Sequence, residues 1–286
     1  MVSKKVIIAI LIFANIISWS IVFDSEKPRN LETCFFDVGQ GDSILIKTPY
    51  NQQILIDGGP SSVAKKLSSK MSLMDKTIDL VVLTHPHSDH LYGLLEVFDK
   101  FQIKNLLWTG QEYEGKAFDK LKNLIEKEGA NVFIAKKGLK ISFDENGFLE
   151  VLHPLTSLEN SLVDSATANN SSIVLMLNHF GDKILFTGDI SSKQELSILK
   201  DNQDVSADIL KVSHHGSKSA TSDYFLQSVS PALAVISVGE NNYYGHPAPE
   251  TLNKLKDIKV ARTDKNGDIC LTQKKIGQFS LSSQTE

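Results

Sequence analysis

A cluster of histidines directly after an apolar run is the feature that most constrains this chain. Residues 78–83 form a compact apolar run of the kind that makes a buried strand, and the next seven residues read T-H-P-H-S-D-H. Along an extended segment, side chains two residues apart point the same way, so His85 and His87 can bind one cation. Asp89 and His90 are neighbours and can turn towards a second cation. Imidazole and carboxylate ligands suit Zn²⁺, Mn²⁺ or Fe, so the pattern predicts a metal site, with a polar loop that caps a helix as the alternative.

Two later segments also place ligand-type residues directly after an apolar strand. Residues 183–189 run K-I-L-F-T-G-D and close on Asp189, whose two carboxylate oxygens could bridge two metal ions. Residues 208–217 run D-I-L-K-V-S-H-H-G-S and carry His214 and His215 at the strand end. A lone Gly-Asp pair is usually a turn, and a histidine pair can lie in a surface loop. Three such strand ends together nevertheless favour one shared metal site.

The composition excludes several classes of protein. Hydrophobic residues make up 41% and charged residues 22% of the 286 residues, as in ordinary globular proteins. Two cysteines are too few for a disulfide-rich scaffold. The formal net charge is −4, and because the first 23 residues hold two lysines and no acidic residue, the remainder carries −6. An acidic chain does not coat nucleic acid by charge alone, so any substrate must bind at a local site.

The periodicity of the apolar residues predicts strands first, and then alternating strands and helices. Three β-rich runs at 31–38, 42–48 and 52–57 resemble an antiparallel meander, and a helix is expected at 61–71. Further helices are expected near 90–100, 115–128, 191–200, 221–229 and 249–257. Further strands are expected near 104–108, 131–135, 148–152, 171–177, 182–187, 206–212, 232–238, 258–262 and 267–272. This order predicts the α/β class, with mixed sheets covered by helices, and residues 31–286 as one domain with a structureless loop at 153–170.

Residues 1–23 are expected to be a separate segment, either a membrane anchor or a signal sequence. Two lysines precede an uncharged run at 6–23, which is about the minimum length of a helix that spans a membrane. Asn15, Ser18 and Ser20 weaken the run. We expect one uncleaved N-terminal transmembrane helix, with a cleaved signal and a buried soluble helix as alternatives. Because positive residues before a span stay inside, the rest of the chain is expected outside the cytoplasm, membrane-anchored or secreted.

The two cysteines lie in apparent strands near the two ends of the body, at Cys34 and Cys270. An exported protein can form a disulfide, but the sequence cannot place two Cα atoms within bonding distance. We therefore expect two independent buried thiols.

Four motifs together resemble the metallo-β-lactamase superfamily. They are D-G-G at 57–59, T-H-x-H-x-D-H at 84–90, T-G-D at 187–189 and H-H-G-S at 214–217. Within the superfamily, the chain is similar to the extracellular β-lactamase-like domain of the ComEC-like competence proteins, which take up DNA. This closer resemblance rests on F-D-V-G-Q-G-D at 36–42, N-N-S-S-I-V-L at 169–175, Y-G-H-P at 244–247 and R-T-D at 262–264. It covers about 31–272 and implies an αββα sandwich of two mixed β-sheets, with a binuclear metal site along one edge.

The resemblance also implies a role for each ligand-type residue. One divalent metal ion, Zn²⁺ or Mn²⁺, would be held by His85 and His87. The second would be held by Asp89 and His90, and Asp189 would bridge the two ions.

The last ligand is open between two adjacent histidines. The superfamily often has a single histidine just before a small residue here, which favours His215. His214 would then face the substrate phosphate or donate a proton, although the two roles are interchangeable on sequence alone. Many members place a third histidine before the Gly-Asp strand, whereas the loop at 168–172 reads A-N-N-S-S. The first metal would therefore be completed by solvent and an asparagine contact, or by His153, and Mn²⁺ stays open beside Zn²⁺.

A further set of residues is expected to support the ligands or to contact the substrate. Asp57 is expected to orient the histidine loop by accepting a hydrogen bond, with a simple turn residue as the alternative. Supporting positions are also expected at Asp37, Gln40, Asp42, Asn169 and Asn170. The expected catalytic residues are Asp89, His214 and His246, and the expected substrate contacts are His214, Ser217 and His246. His179 is expected at the surface.

The function that the resemblance implies is that of a binuclear metal-dependent hydrolase. A hydroxide bridging the two metal ions would attack phosphorus, and the metals would stabilise the charge that develops. The favoured substrate is a phosphodiester, and the favoured activity is that of a DNA nuclease. The alternatives are a hydrolase of small phosphodiesters or esters at the cell surface and a non-catalytic partner in DNA uptake. A DNA-uptake channel, if one takes part, is expected to be a separate protein.

Overall fold

The described part of the chain, residues 3–25, 29–72 and 75–283 of this computed structural model, folds into eight α-helices and nineteen β-strands. The helices are α1 (Lys4–Ser25), α2 (Ala64–Lys70), α3 (Ser88–Lys100), α4 (Lys116–Glu128), α5 (Ser192–Lys200), α6 (Asp223–Val229), α7 (Pro249–Lys254) and α8 (Thr263–Asn266). The strands are β1 (Leu31–Phe35), β2 (Ile44–Lys47), β3 (Gln53–Ile56), β4 (Thr77–Ile78), β5 (Leu80–Val82), β6 (Gln102–Ile103), β7 (Asn105–Trp108), β8 (Glu112–Tyr113), β9 (Asn131–Ile134), β10 (Lys140–Ser142), β11 (Gly147–His153), β12 (Leu162–Val163), β13 (Val174–His179), β14 (Asp182–Phe186), β15 (Ile209–Lys211), β16 (Leu233–Ile236), β17 (Lys259–Arg262), β18 (Ile269–Lys275) and β19 (Gln278–Ser283).

These strands form two large sheets. The first has eight strands in the order β19-β18-β1-β2-β3-β5-β7-β9, and the second has seven in the order β10-β11-β13-β14-β15-β16-β17. β1, β2 and β3 pair antiparallel, so the predicted meander is confirmed. From β3 to β9, and from β14 to β17, the neighbouring strands run parallel. Both sheets are therefore mixed, as predicted, and each has a block of parallel strands that end at one edge.

Apolar side chains fill three layers across the molecule. One layer lies between the two sheets and includes Phe35 and Phe186. A second joins the outer face of the first sheet to α2, α3 and α4, and a third joins the outer face of the second sheet to α5, α6 and α7. Alternation along β2 shows how one strand serves two layers, because Ile44 and Ile46 face the other sheet whereas Leu45 faces the helices. The mixed α/β architecture with two sheets is the one that the sequence predicted.

The sheet edges differ from the sequence expectation. β10 and β19, at the outer edges of the two sheets, were not predicted. Both are short or rich in polar residues, so they lack the apolar run on which a strand prediction rests. The loop at 153–170 was expected to be structureless, but it contains β12, which pairs with β8, and most of a 3₁₀ turn at Ala168–Ser171.

The N-terminal segment corrects one prediction. α1 covers the uncharged run at 6–23, and the side-chain amide of Asn15 donates a hydrogen bond to the Leu11 carbonyl at 3.0 Å. Across 3–25, 29–72 and 75–283, none of the helices combines the length and the apolar character that crossing a membrane requires. The anchor predicted at 6–23 was therefore wrong, and the localisation deduced from it loses its basis; residues 1 and 2 of that segment lie outside the described residues.

The cysteines correct another prediction. β18 comes late in the chain but pairs antiparallel with β1, the first strand. The register of this pairing places Cys34 directly opposite Cys270. The two Cα atoms are 4.0 Å apart and the sulfur atoms are bonded. The expected pair of independent thiols was wrong, because only the strand pairing brings positions 236 residues apart into contact.

Candidate metal centre

The ligand-type residues come together because parallel strands from both sheets end at the same edge. β5 leads into the loop that carries His85 and His87, and α3 begins at once behind it. β14 ends just before Asp189, and β15 ends just before the 3₁₀ turn Ser213–Gly216, which holds the histidine pair. The first sheet thus supplies one half of the site and the second sheet supplies the other.

Four side chains form the tightest group at this edge. Asp89, His90, Asp189 and His215 each offer a ligand atom, and these atoms all lie within 4.8 Å of one another. Nε2 of His215 is 3.2 Å from Oδ2 of Asp189 and 3.5 Å from Oδ2 of Asp89. Nε2 of His90 is 3.4 Å from the same Asp189 oxygen. Such a spacing of imidazole and carboxylate atoms suits one cation at the centre.

A second group lies next to the first. Nε2 of His85 and Nδ1 of His87 are 3.2 Å apart, so two ring nitrogens converge on one point. His214 lies further out, with Nε2 at 3.9 Å from Oδ2 of Asp189 and at 3.2 Å from the amide nitrogen of Asn169. The structure therefore groups His215 with Asp89, His90 and Asp189, and it groups His214 with Asn169.

Four imidazoles each direct one ring nitrogen, the near one, into the site, and the other ring nitrogen, the far one, lies next to a hydrogen-bond acceptor. These inner imidazoles are those of His85, His87, His90 and His215. Nδ1 of His90 is 2.7 Å from Oδ2 of Asp57, and Nδ1 of His215 is 2.9 Å from the Ser237 carbonyl. Nε2 of His87 is 2.9 Å from the Ser165 carbonyl. Nδ1 of His85 lies between the hydroxyls of Thr84 and Ser172, at 3.1 and 3.2 Å. If each far nitrogen donates its proton, every near nitrogen is left with a lone pair directed into the site, the arrangement that metal-binding histidines use.

The charges of the central group depend on one another. Burial disfavours a charged imidazole, but Asp189 beside it raises the pKa of His215 to about 10. Burial likewise opposes the charge of His90, yet Asp189 and Asp57 raise its pKa well above the usual range. Burial also opposes ionisation of Asp189, but His215 and His90 hold the pKa of that carboxyl well below its usual value. Without a bound cation, the carboxylates thus keep protons on two histidines, and divalent ions would supply that positive charge instead.

The donor set fits divalent metal ions, which the fold implies. Three atoms in the group are buried and make no hydrogen bond with any described residue, namely Nε2 of His90, Nε2 of His215 and Oδ1 of Asp189. Buried polar atoms are normally paired, so three unpaired atoms within one group of ligand-type residues indicate an absent partner. Nitrogen and oxygen donors without a thiolate suit Zn²⁺ and Mn²⁺ alike.

Close backbone packing sets the position of Asp57. Its backbone lies in the left-handed region, with φ of 58°, and its carboxylate accepts hydrogen bonds from the amide and the hydroxyl of Thr84 at 2.8 and 2.6 Å. The Gly58 amide donates to the His90 carbonyl at 2.7 Å. A Cβ on Gly93 would lie 1.8 Å from the Gly58 carbonyl oxygen, so only glycine permits this approach of α3.

Lys211 is a site residue that the sequence prediction missed. It is 1% exposed, forms an ion pair with Asp42, and donates to the Gly188 carbonyl at 3.2 Å. Its Nζ is also 3.9 Å from Oδ1 of Asp189. The available signal was a lysine inside an otherwise apolar strand, three residues before His214.

The other supporting residues lie at different distances from the ligands. Asp42 contacts Lys211, and Gln40 accepts a hydrogen bond from the Gly239 amide at 3.3 Å while also lining the site cavity. Asp37 accepts a hydrogen bond from the Gly39 amide and lies in the turn behind the site. Asn170 accepts one from the Ser191 hydroxyl at 3.4 Å.

An open cavity of about 300 Å³ leads from the surface to the ligand atoms. Among the residues that line it are Asp89, Asp189, Asn169, His214 and His246. Burial and the neighbouring His214 and His215 lower the pKa of His246 to about 4, so this imidazole is neutral at pH 7. Ser217 is not among the residues that line this cavity, and its hydroxyl pairs with that of Ser219 at 3.0 Å.

Two further histidines lie apart from the ligand group. His153 is buried, with Nδ1 at 2.9 Å from the Ser172 carbonyl, and it is not part of the groups that could hold a metal. His179 was expected at the surface but is only 6% exposed. It lies between Gln273 and Asp144 because the two sheets close over it, which the sequence did not indicate.

The two-sheet architecture and the histidine–aspartate group at its edge define a mixed α/β protein with a candidate metal site. A family model of the metallo-beta-lactamase superfamily matches residues 36–240, and the chain therefore belongs to that superfamily.

Curated relatives of this chain include competence proteins. The chain is 32% identical over 272 residues to ComE operon protein 3 of Bacillus subtilis (strain 168), which covers 87% of this chain and 34% of that protein. It is 28% identical over 271 residues to Competence protein ComA of Neisseria gonorrhoeae, which covers 91% of this chain and 34% of that protein. These matches confirm the resemblance to ComEC-like competence proteins. The chain spans about a third of the length of these relatives.

Solved structures share the fold at low identity. The metallo-beta-lactamase fold protein YhfI from Bacillus subtilis gives a TM-score of 0.53 at 12% identity, covering 82% of this chain and 96% of that one. CmlA, a diiron beta-hydroxylase from Streptomyces venezuelae, gives a TM-score of 0.50 at 12% identity, covering 84% of this chain and 54% of that one. At this identity the two structures show the fold alone.

Proposed function

We propose that this chain is a binuclear metal-dependent phosphodiesterase and that its substrate is DNA. The observation that carries the proposal is the convergence of ring nitrogens and carboxylate oxygens at one edge, with each inner imidazole held by an acceptor behind it. His85 and His87 would hold one ion, and Asp89, His90 and His215 the other. Asp189 belongs to the central group, and with its two carboxylate oxygens it would contact both ions.

The chemistry divides between the ions and the chain. Divalent ions, when bound, would lower the pKa of a water molecule and offset the charge on the oxygens of a phosphodiester. Asn169 and His214 face the cavity side by side and would bind a phosphate oxygen. His214 would also hold a proton beside the leaving oxygen, since its ring is in contact with the site but outside the central group.

His246 would contact His214 or the substrate as an uncharged imidazole. Its ring centroid lies 5.6 Å from that of His214, and its low pKa keeps it uncharged at neutral pH. A neutral imidazole can donate one hydrogen bond without adding charge, so His246 would orient His214 or the substrate rather than attract the phosphate electrostatically.

The choice of DNA draws on the relatives. Competence proteins match most of this chain, and a phosphodiester offers the oxygens that a site with two ions can hold. The formal net charge of −4 implies that DNA would bind through this site rather than through a broad basic surface. Association with a separate uptake channel stays a prediction.

The test is cleavage of DNA and of bis(p-nitrophenyl) phosphate by the full chain with Mn²⁺ or Zn²⁺. Asp189→Asn is expected to lower both activities by about 100-fold or more, because it removes a carboxylate from the central ligand group. Asp204→Asn is the matched control, since Asp204 is exposed and pairs with Lys183 at 2.6 Å, away from the cavity. Absence of metal-dependent DNA cleavage, or equal activity of the two variants, would contradict the proposal.

The cavity favours a second candidate, a hydrolase of small phosphodiesters. A volume of about 300 Å³ accommodates one small group, and the acidic chain offers little general attraction for a polyanion. Metal-dependent hydrolysis of bis(p-nitrophenyl) phosphate without cleavage of DNA would select this candidate. DNA binding that survives Asp189→Asn, without any hydrolysis, would instead select the non-catalytic partner.

A further inference from the structure

Two consecutive tyrosines stand exposed at the mouth of the candidate site. Tyr243 is fully exposed, and Tyr244 is 71% exposed although it lines the cavity. The Tyr244 ring is stacked on the imidazole of His246, with centroids 5.8 Å apart and planes inclined by 23°. His246 in turn contacts the ring of His214, which lies 3.9 Å from Asp189. Tyr244 therefore lies two rings away from the expected reaction centre, with most of its surface open to solvent.

The loop that carries Tyr244 is held firmly. The side chain of Asn242 donates to the Gly239 carbonyl at 2.9 Å and to the His246 carbonyl at 2.6 Å, and it accepts from the His246 amide at 3.0 Å. Pro247 packs against Gly216, at the end of the histidine turn. A ring presented on a fixed loop loses little conformational freedom when a ligand packs on it.

We propose that Tyr244 is a stacking platform for a nucleobase next to the scissile phosphodiester. The inference rests on the proposed function, because it assigns the substrate class of the same site. A base that stacks there is unpaired, so the site would take single-stranded DNA or a frayed end. Stacking also supplies affinity that does not depend on positive charge, which this acidic chain lacks overall.

The ring arrangement favours a base over a quaternary ammonium group. Ligands such as choline are typically bound in cages, where several aromatic faces surround one cation. Here one face of Tyr244 is covered by His246, and the neighbouring Tyr243 is fully exposed and encloses nothing. One open face suits a flat base.

The test compares a labelled oligothymidylate of about ten nucleotides with an abasic strand of equal length, using the full chain loaded with Mn²⁺. Tyr244→Ala is expected to weaken binding of the thymidylate about tenfold or more by fluorescence anisotropy, and to raise the KM for its cleavage similarly. Binding of the abasic strand should not change, and Tyr244→Phe and Tyr244→Trp should bind the thymidylate as the wild type does. Tyr224→Ala is the matched control, because Tyr224 is 77% exposed on α6 and does not line the cavity.

The outcomes separate the inference from the proposed function. Binding without cleavage would contradict the phosphodiesterase, whereas the binding data would still decide the role of Tyr244. Equal losses on both strands, no loss on either, or equal wild-type affinity for both would overturn the stacking role. A loss confined to hydrolysis of p-nitrophenyl phosphorylcholine would also overturn it, in favour of a quaternary ammonium ligand.

Discussion

Lys211 carries its charge in surroundings where a lysine is rarely found. Burial lowers the pKa of an ammonium group, but Asp42 and Asp189 more than offset this and raise the pKa of Lys211. The ammonium therefore stays charged and lies 3.9 Å from Oδ1 of Asp189, whereas His90 and His215 lie next to Oδ2 of that residue. The positive charge of Lys211 offsets negative charge on Asp42 and Asp189.

Replacement of Lys211 by methionine is expected to destabilise the fold by about 3 kcal/mol, because it leaves Asp42 buried without its partner. Urea denaturation without added metal measures this loss. The matched control is Lys183→Met, which breaks the exposed pair with Asp204 and should cost about 1 kcal/mol or less. The double variant Lys211→Met with Asp42→Asn should recover part of the loss. Equal effects of the two methionine variants would contradict this account of the buried pair.

The candidate ligand residues could be picked out from the sequence, whereas the residues that surround them could be picked out only in part. The histidine and aspartate motifs could be read because their spacing along one strand end is local. The Ser165 carbonyl beside His87 could not be foreseen, because every residue has a carbonyl and only the folded loop brings this one to the ring. Lys211 was missed because a lysine at a strand position is normally exposed.

At the scale of elements, α3 crosses the segment after β3 with almost no space between the backbones. Gly93 and Gly58 make this approach possible, and it brings His90 to Asp57. Gly93→Ala is expected to cost about 2–3 kcal/mol, because the new methyl group overlaps the Gly58 carbonyl. It should also lower the metal content, measured by elemental analysis, since His90 moves away from its acceptor.

Gly115→Ala, at the N-cap of α4, is the control for this variant. A Cβ at position 115 meets its nearest atom at 3.7 Å, an ordinary contact, so the variant should cost only about 1 kcal/mol or less, from the poorer cap, and should leave the metal content unchanged. A Gly93→Ala variant with unchanged stability would mean that α3 can shift without loss.

A second contact between elements gives a pH-dependent prediction. On α5, the buried Glu195 accepts hydrogen bonds from the amides of Thr221 and Ser222 at the start of α6, and burial raises its pKa. As the pH rises, the unfolded chain releases this proton before the native protein does. The stabilising contribution of Glu195 is thus complete below the unfolded pKa and is lost as the pH rises through the native pKa.

The variant Glu195→Gln has no such proton and also loses one acceptor, at a cost of about 1–2 kcal/mol. The free energy of unfolding of this variant should fall furthest below that of the wild type at about pH 4, and the difference should shrink towards about pH 8. Urea denaturation across this range measures the deficit, with the exposed Glu250→Gln as the control. A deficit that grows with pH would show that the native state prefers the carboxylate.

Most helices and central strands were predictable from periodicity, because each has an apolar face that must be buried. The edges were not, since β10 and β19 pair on one side only and need few apolar residues. The disulfide was also beyond the sequence, because it depends on which strand lies beside β1. Local sequence patterns therefore predicted most helices and central strands. The contacts between these elements depend on the order of the strands in the sheets, which local patterns do not specify.

At the scale of the whole molecule, the candidate centre joins two halves of the chain. His85 to His90 come from the first sheet, whereas Asp189 and His215 come from the second. The sheets also share the apolar layer between them, so the distance between the two ligand groups depends on that packing. Ions bound at the edge would hold the sheets together where their carboxylates otherwise repel.

Removal of metal is therefore expected to destabilise the entire fold. At a free ion concentration of about 100 times the dissociation constant, binding stabilises the native state by about 2.7 kcal/mol, which raises Tm by about 5–10 °C in a protein of this size. Thermal unfolding of chelator-treated protein, with and without Mn²⁺ or Zn²⁺ added back, measures the shift. Asp189→Asn should lose most of it, whereas Asp204→Asn should keep it, because Asp189 belongs to the central ligand group and Asp204 pairs with Lys183 instead. An equal shift in both variants would mean that the ions bind elsewhere and that the two sheets do not meet at a shared metal centre.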